Sequence, residues 1–155
     1  MYTAAVLTPI SAQLLNWIAR GTLNQDHDFV FKTSQGMSLP HHMTINLGPL
    51  DESLHDRSLL GCEASLRIDT LIYNQDLGVC ATPVYDSTAM WTTGDGKYEN
   101  ILLKSANVVP HITVCIHPGA KPFLSNQMLE KPNSNNAVCH LDQSYTLQAT
   151  ITEVD

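Results

Sequence analysis

Apolar and polar residues alternate with period two in several stretches, the mark of strands buried on one face. The clearest stretch is 63–73, where Ala64, Leu66 and Ile68, continued by Thr70 and Ile72, share a side. Residues 41–47 set Met43, Ile45 and Leu47 against His42, Thr44 and Asn46, and Gly48-Pro49 stops the run. Residues 111–116 repeat the pattern with Ile112, Val114 and Ile116. Residues 77–84, after the turn-forming Asn74-Gln75-Asp76, read as the return strand of a hairpin. Residues 2–8 and 146–154 read as first and last strands. Helical spacing governs 11–20, where Leu14, Leu15 and Ile18 form a stripe, Ser11 can cap the start and Gly21 suits the C′ position. Residues 21–39, 86–96 and 131–136 read as loops. Residues 98–107 fit a helix, although Ile101-Leu102-Leu103 does not settle it, and 51–60 leaves room for one helical turn. Antiparallel strands with one or two helices predict an α+β fold.

With 155 residues, the chain is predicted to form one domain, 1–155, able to bury about 68–70% of its unfolded surface without disulfides or a structural metal. Apolar residues make up 43% and charged residues 15%, which argues against disorder. No apolar run approaches a membrane span. The first twenty residues lack the basic start and clean apolar stretch of a secretory signal. Eight basic residues against fifteen acidic ones leave a net charge of −7. That excludes a general nucleic-acid binder, because phosphate contacts need clustered Lys and Arg. A small anion held by hydroxyls, backbone N–H groups and imidazoles remains compatible. Cys62, Cys80, Cys115 and Cys139 are widely spaced and read as free thiols in a reducing compartment.

Two segments carry matching chemistry. Pro40-His41-His42-Met43-Thr44-Ile45 and Pro110-His111-Ile112-Thr113-Val114 both contain His, an apolar residue, Thr and an apolar residue. On a strand, His42 and Thr44 share a face, as do His111 and Thr113, while the intervening apolar residues face the core. By the same alternation Cys115 joins His111 and Thr113. With the two strands side by side, a site of two imidazoles and two hydroxyls results. One imidazole can take a proton from an attacking hydroxyl while the other donates to the leaving oxygen, since the imidazole pKa lies near neutrality. The hydroxyls can hold the non-bridging phosphate oxygens.

These motifs resemble those of the 2H phosphoesterases, which carry a pair of His–apolar–Thr/Ser–apolar segments. The matching positions are His42, Thr44, His111 and Thr113, 69 residues apart between the two histidines. The stretch Gly119-Ala120-Lys121-Pro122-Phe123-Leu124-Ser125-Asn126 is similar to that of one branch, the phage anti-CBASS phosphodiesterases. The resemblance implies a two-lobed α+β fold, with antiparallel sheets lining a central cleft and helices outside. It also implies metal-independent cleavage of 3′–5′ bonds in cyclic di- or trinucleotides, with no cofactor, in the cytoplasm of an infected bacterial host. The expected partner is that small cyclic oligonucleotide, with neither polymeric nucleic acid nor a membrane. Lys121, Ser125 and Asn126 would contact substrate, and Tyr73, with Trp91 and Tyr98 as further candidates, would stack on a base.

Three other readings compete. A structural zinc site lacks the two close ligand pairs it normally shows. A non-catalytic sponge for cyclic nucleotides needs donors, but not an acid–base pair. An RNA-end 2′,3′-cyclic phosphodiesterase, as in other 2H branches, leads one to expect a basic groove that this acidic chain does not display.

Overall fold

The structure, a computed structural model, describes residues 1–23, 42–51, 58–117, 119–131 and 134–155. The elements run β1 (Tyr2–Leu7), α1 (Pro9–Leu23), β2 (His42–Leu47), β3 (Glu63–Asn74), β4 (Val79–Pro83), β5 (Asp86–Thr92), β6 (Tyr98–Leu102), β7 (His111–Ile116), α2 (Leu124–Glu130) and β8 (Ala137–Val154). All strand pairings are antiparallel, and the hydrogen-bonded order is β4-β7-β2-β1-β8-β3-β5-β6, with β3 also paired to β4.

That last pairing corrects the expectation of a two-lobed α+β fold with open sheets. Strands β4, β7, β2, β1, β8 and β3 close into a six-stranded barrel, accompanied by two short helices. The cause is the length of β3. One edge pairs with β8 along most of its run, and the other is shared by β5, at Ala64–Arg67, and β4, at Ile72–Asn74. Closure pairs edges that two separate sheets would leave open.

Alternate residues of all six ring strands enter one core: Ala5, Met43, Leu66, Cys80, Ile112 and Leu147 are representative. Helix α1 adds Leu15, Ala19 and Leu23. A second, smaller cluster lies under α2, where Met128 and Leu129 cover Val79, Ala81 and Ile116. The barrel wall between β4 and β7 is therefore buried on both faces, while the wall at β2 and β7 keeps an accessible outer side.

Several local expectations change. Thr8, not Ser11, caps α1: its Oγ1 accepts from the Ser11 amide at 3.3 Å, and Pro9 takes the first helical position, where its missing N–H costs nothing. Ser11 instead receives the Gln148 amide on Oγ at 2.8 Å. Gly21 lies within the helix. Residues 86–102, read as loop and helix, form the β5–β6 hairpin. The last strand begins at Ala137, nine residues before the expected start. Leu47, expected on the apolar face, is 86% exposed. The register of β2 on β1 slips at Ile45, and one extra residue reverses the parity of the positions after it. A similar slip on β7 falls between Thr113 and Cys115. It turns Cys115 into the core beside Cys80 and away from the face of His111 and Thr113. All four cysteines are free thiols.

Candidate active site

Strands β2 and β7 are neighbours, paired antiparallel through Met43 and Ile112, both fully buried. That register sets His42 across from Thr113 and Thr44 across from His111, all four on the outer face. Directly opposed residues have Cβ atoms about 4.5–5.5 Å apart and diagonal ones about 7–8 Å. The two imidazoles thus occupy one diagonal of a square and the two hydroxyls the other. All four line one cavity of about 530 Å³, together with Asn46, Leu47, Ala106, Asn107, Pro122, Phe123 and Asn126.

The histidines differ in surroundings. The His42 ring is half-buried against the ring of Tyr2, with centroids 5.1 Å apart. His111 is 7% exposed, and its Nδ1–H donates to the Val109 carbonyl at 2.8 Å. That bond leaves the Nε2 lone pair as the free end of the neutral ring. Burial pushes the His111 pKa below its ordinary 6.5, opposed in part by the Val109 carbonyl and by the charge of Glu130.

Both walls are held from behind. The segment 105–107 is stitched along β2: Ser105 Oγ donates to the Thr44 carbonyl at 2.8 Å, and the Ala106 amide donates to the Ile45 carbonyl at 2.6 Å. The Asn107 amide donates in turn to Ser105 Oγ at 3.1 Å. On β7, Thr113 Oγ1 lies 3.0 Å from Ser125 Oγ on α2. Asn46 is engaged at the end of β2, where its Nδ2 donates to the carbonyls of Leu47 and Pro49.

Of the remaining expected contacts, Asn126 lines the cavity. Lys121 is exposed beside it, with Nζ 5.9 Å from the centroid of the Phe123 ring. Ser125 is fully buried, behind Thr113 rather than in the cavity. Tyr73 is 5% exposed and belongs to the main core, which removes it as a stacking surface. The pairing of β3 with β8 slips between Ile68 and Thr70, so Leu71 and Tyr73 turn into the main core while Ile72, expected to share the face of Ala64, Leu66 and Ile68, packs against the cluster under α2. Trp91 packs against the same core and Tyr98 lies on the β6 edge; neither lines the cavity. The aromatic that does is Phe123, 62% exposed at the rim. Its signal was its place in Lys121-Pro122-Phe123, where proline halts the chain just before a short helix. Among the described residues, no three His, Cys, Asp or Glu side chains converge as a metal-ligand set.

Paired imidazoles and hydroxyls on one barrel wall bring together the groups that acid–base chemistry on a phosphodiester uses. The family comparison agrees: residues 35–154 match the fungal tRNA ligase phosphodiesterase domain, and the chain belongs to that family, a branch of the 2H phosphoesterases. Among solved structures, it is similar to one described as a fungal RNA kinase, with a TM-score of 0.60 and 12% identity. That likeness shows the fold. It covers 98% of this chain and 45% of the other, so this chain spans less than half of that protein's length. No protein of curated function matches in sequence.

Proposed function

We propose that the domain opens a 2′,3′-cyclic phosphate at an RNA end, leaving a phosphomonoester. The observation that carries this is the square of His42, Thr44, His111 and Thr113 in a cavity of one-nucleotide scale, with His111 held neutral. His111 Nε2 takes a proton from water as the water oxygen bonds to phosphorus. The bond from phosphorus to one ribose oxygen breaks, and that oxygen receives a proton from His42. Thr44 and Thr113 hold the non-bridging oxygens as charge builds on them. Phe123 offers the terminal base a stacking face, and Asn107 and Asn126 offer amide donors and acceptors beside it.

Membership of a tRNA ligase domain family favours RNA ends over the cyclic oligonucleotides of phage defence. The expected exclusion of polymeric nucleic acid gives way with it. The acidic charge is reconciled if the enzyme grips only the terminal nucleotide. Among the described residues, no helix is long and apolar enough to cross a membrane.

The test is a short RNA ending in a 2′,3′-cyclic phosphate, presented beside a cyclic dinucleotide. The expected result is conversion of the RNA end alone, lost in both His42→Ala and His111→Ala. Cleavage of the cyclic dinucleotide with the RNA end untouched would overturn the proposal.

A further inference from the structure

We infer that Ser125 is a positioning residue that aims the hydroxyl of Thr113. The inference rests on the phosphate-holding role proposed above for Thr113. Ser125 is fully buried, one of few polar side chains so enclosed, and it lies outside the cavity. Among the described residues its one side-chain hydrogen-bond partner is Thr113 Oγ1, at 3.0 Å.

A hydroxyl has a single hydrogen. If Thr113 gave its proton to Ser125, it would present only lone pairs to a phosphate oxygen, and the two would repel. The productive arrangement has Ser125 O–H donating to Thr113 Oγ1, leaving the Thr113 O–H free to donate into the cavity. Ser125 then does two things: it selects the Thr113 rotamer and, by donating, polarises the Thr113 O–H toward the anion. Its own place is rigid. It stands in the first turn of α2, its amide bonded to the Pro122 carbonyl at 3.0 Å, and the helix is pinned by buried Met128 and Leu129. Among the hydrogen bonds of the described residues, the serine beside Thr44, Ser105, bonds its carbonyl and not its hydroxyl, so the two hydroxyls are held differently.

The test is a double-mutant cycle on the complete chain, with turnover of a 2′,3′-cyclic phosphate and thermal unfolding followed together. Ser125→Ala should lower kcat about tenfold, the scale of one hydrogen bond, with KM changed less than twofold. In a Thr113→Val background the same substitution should have no further effect, because the group it acts through is gone. The double variant removes both ends of a buried polar pair and leaves neither unsatisfied, which favours its folding. Ser125→Cys, close in volume and a weak donor, should fall between Ser125→Ala and the parent. The acidic limb of the pH profile should stay in place throughout, since His111 is untouched. An equal loss from Ser125→Ala in both backgrounds would mark a purely structural role and overturn the inference, as would undiminished turnover in Ser125→Ala. If Thr113→Val itself turned over normally, the phosphate role of Thr113 would fall and take this inference with it. Conversion of the RNA end, judged by the histidine variants, would still stand or fall separately.

Discussion

His111 shows how one side chain's burial feeds both stability and rate. Its ring is desolvated, so its folded pKa lies below 6.5. Between the folded and unfolded values the unfolded chain binds the extra proton, so stability is fully present above about pH 6.5 and drains away as pH falls through the folded value. Chemical unfolding from pH 7.5 to 5 should show this loss, and His111→Asn should flatten it. In the proposed mechanism the same shift keeps the ring a competent base under mild acid. The acidic limb of kcat/KM is expected below pH 6.5, and a limb at or above 6.5 would remove His111 as the base. At this scale the His–apolar–Thr alternation was readable, because period two depends only on neighbours in the chain. The parity of Leu47 and Cys115 was not, since each comes after an inserted residue that only the pairing with a neighbouring strand reveals.

Helix α2 is short, with no side-chain cap bond at its start, and its place comes from packing. Met128 is fully buried against β4 and β7. Met128→Ala should cost about 2–5 kcal/mol, the range for emptying such a site, measured as a shift in urea midpoint at constant slope. Turnover should fall beyond what the unfolded fraction explains, because Ser125 and Asn126 ride on the same helix. Normal turnover in the folded fraction would show that the helix does not need to be held this tightly. Strands β3 and β7 were legible as strands from the alternation of their first halves, but each slips register midway, so the faces of Ile72 and Ile116 were not. The β5–β6 hairpin was not, because Ile101-Leu102-Leu103 has no period and its strand character comes from pairing with Thr88 and Ala89. Helix α2 is too short for helical periodicity to stand out.

Closure of the barrel is a property of the whole molecule, and Gly78 ends the turn that joins β3 to β4. Its φ is +71°, and an added Cβ would lie 3.1 Å from the Cβ atoms of both His117 and Ala120. Gly78→Ala should lose at least about 1–2 kcal/mol, the cost of left-handed backbone for a residue with a side chain, before contact relief is counted. Denaturant unfolding reads this directly; an unchanged midpoint would mean the turn relaxes freely. Net charge acts at the same scale. Under the proposed function, a chain of charge −7 that grips one terminal nucleotide releases few counterions. The slope of log kcat/KM against log salt should be no steeper than about −1. A slope several times larger would show that the body of the RNA is bound as well.

The amino-acid sequence by itself determined which residues could do chemistry and how they alternate along a strand, because strand geometry has a two-residue repeat that local order preserves. It also carried the β3–β4 hairpin, a contact between neighbours in the chain. Tertiary structure alone decided that β3 serves three partners and closes a barrel, that Tyr73 faces inward, that Phe123 stands at the rim, and that Ser125 lies behind Thr113. Apart from the β3–β4 hairpin, the pairings of the ring join segments far apart in sequence, and their register is set by burying both apolar clusters at once.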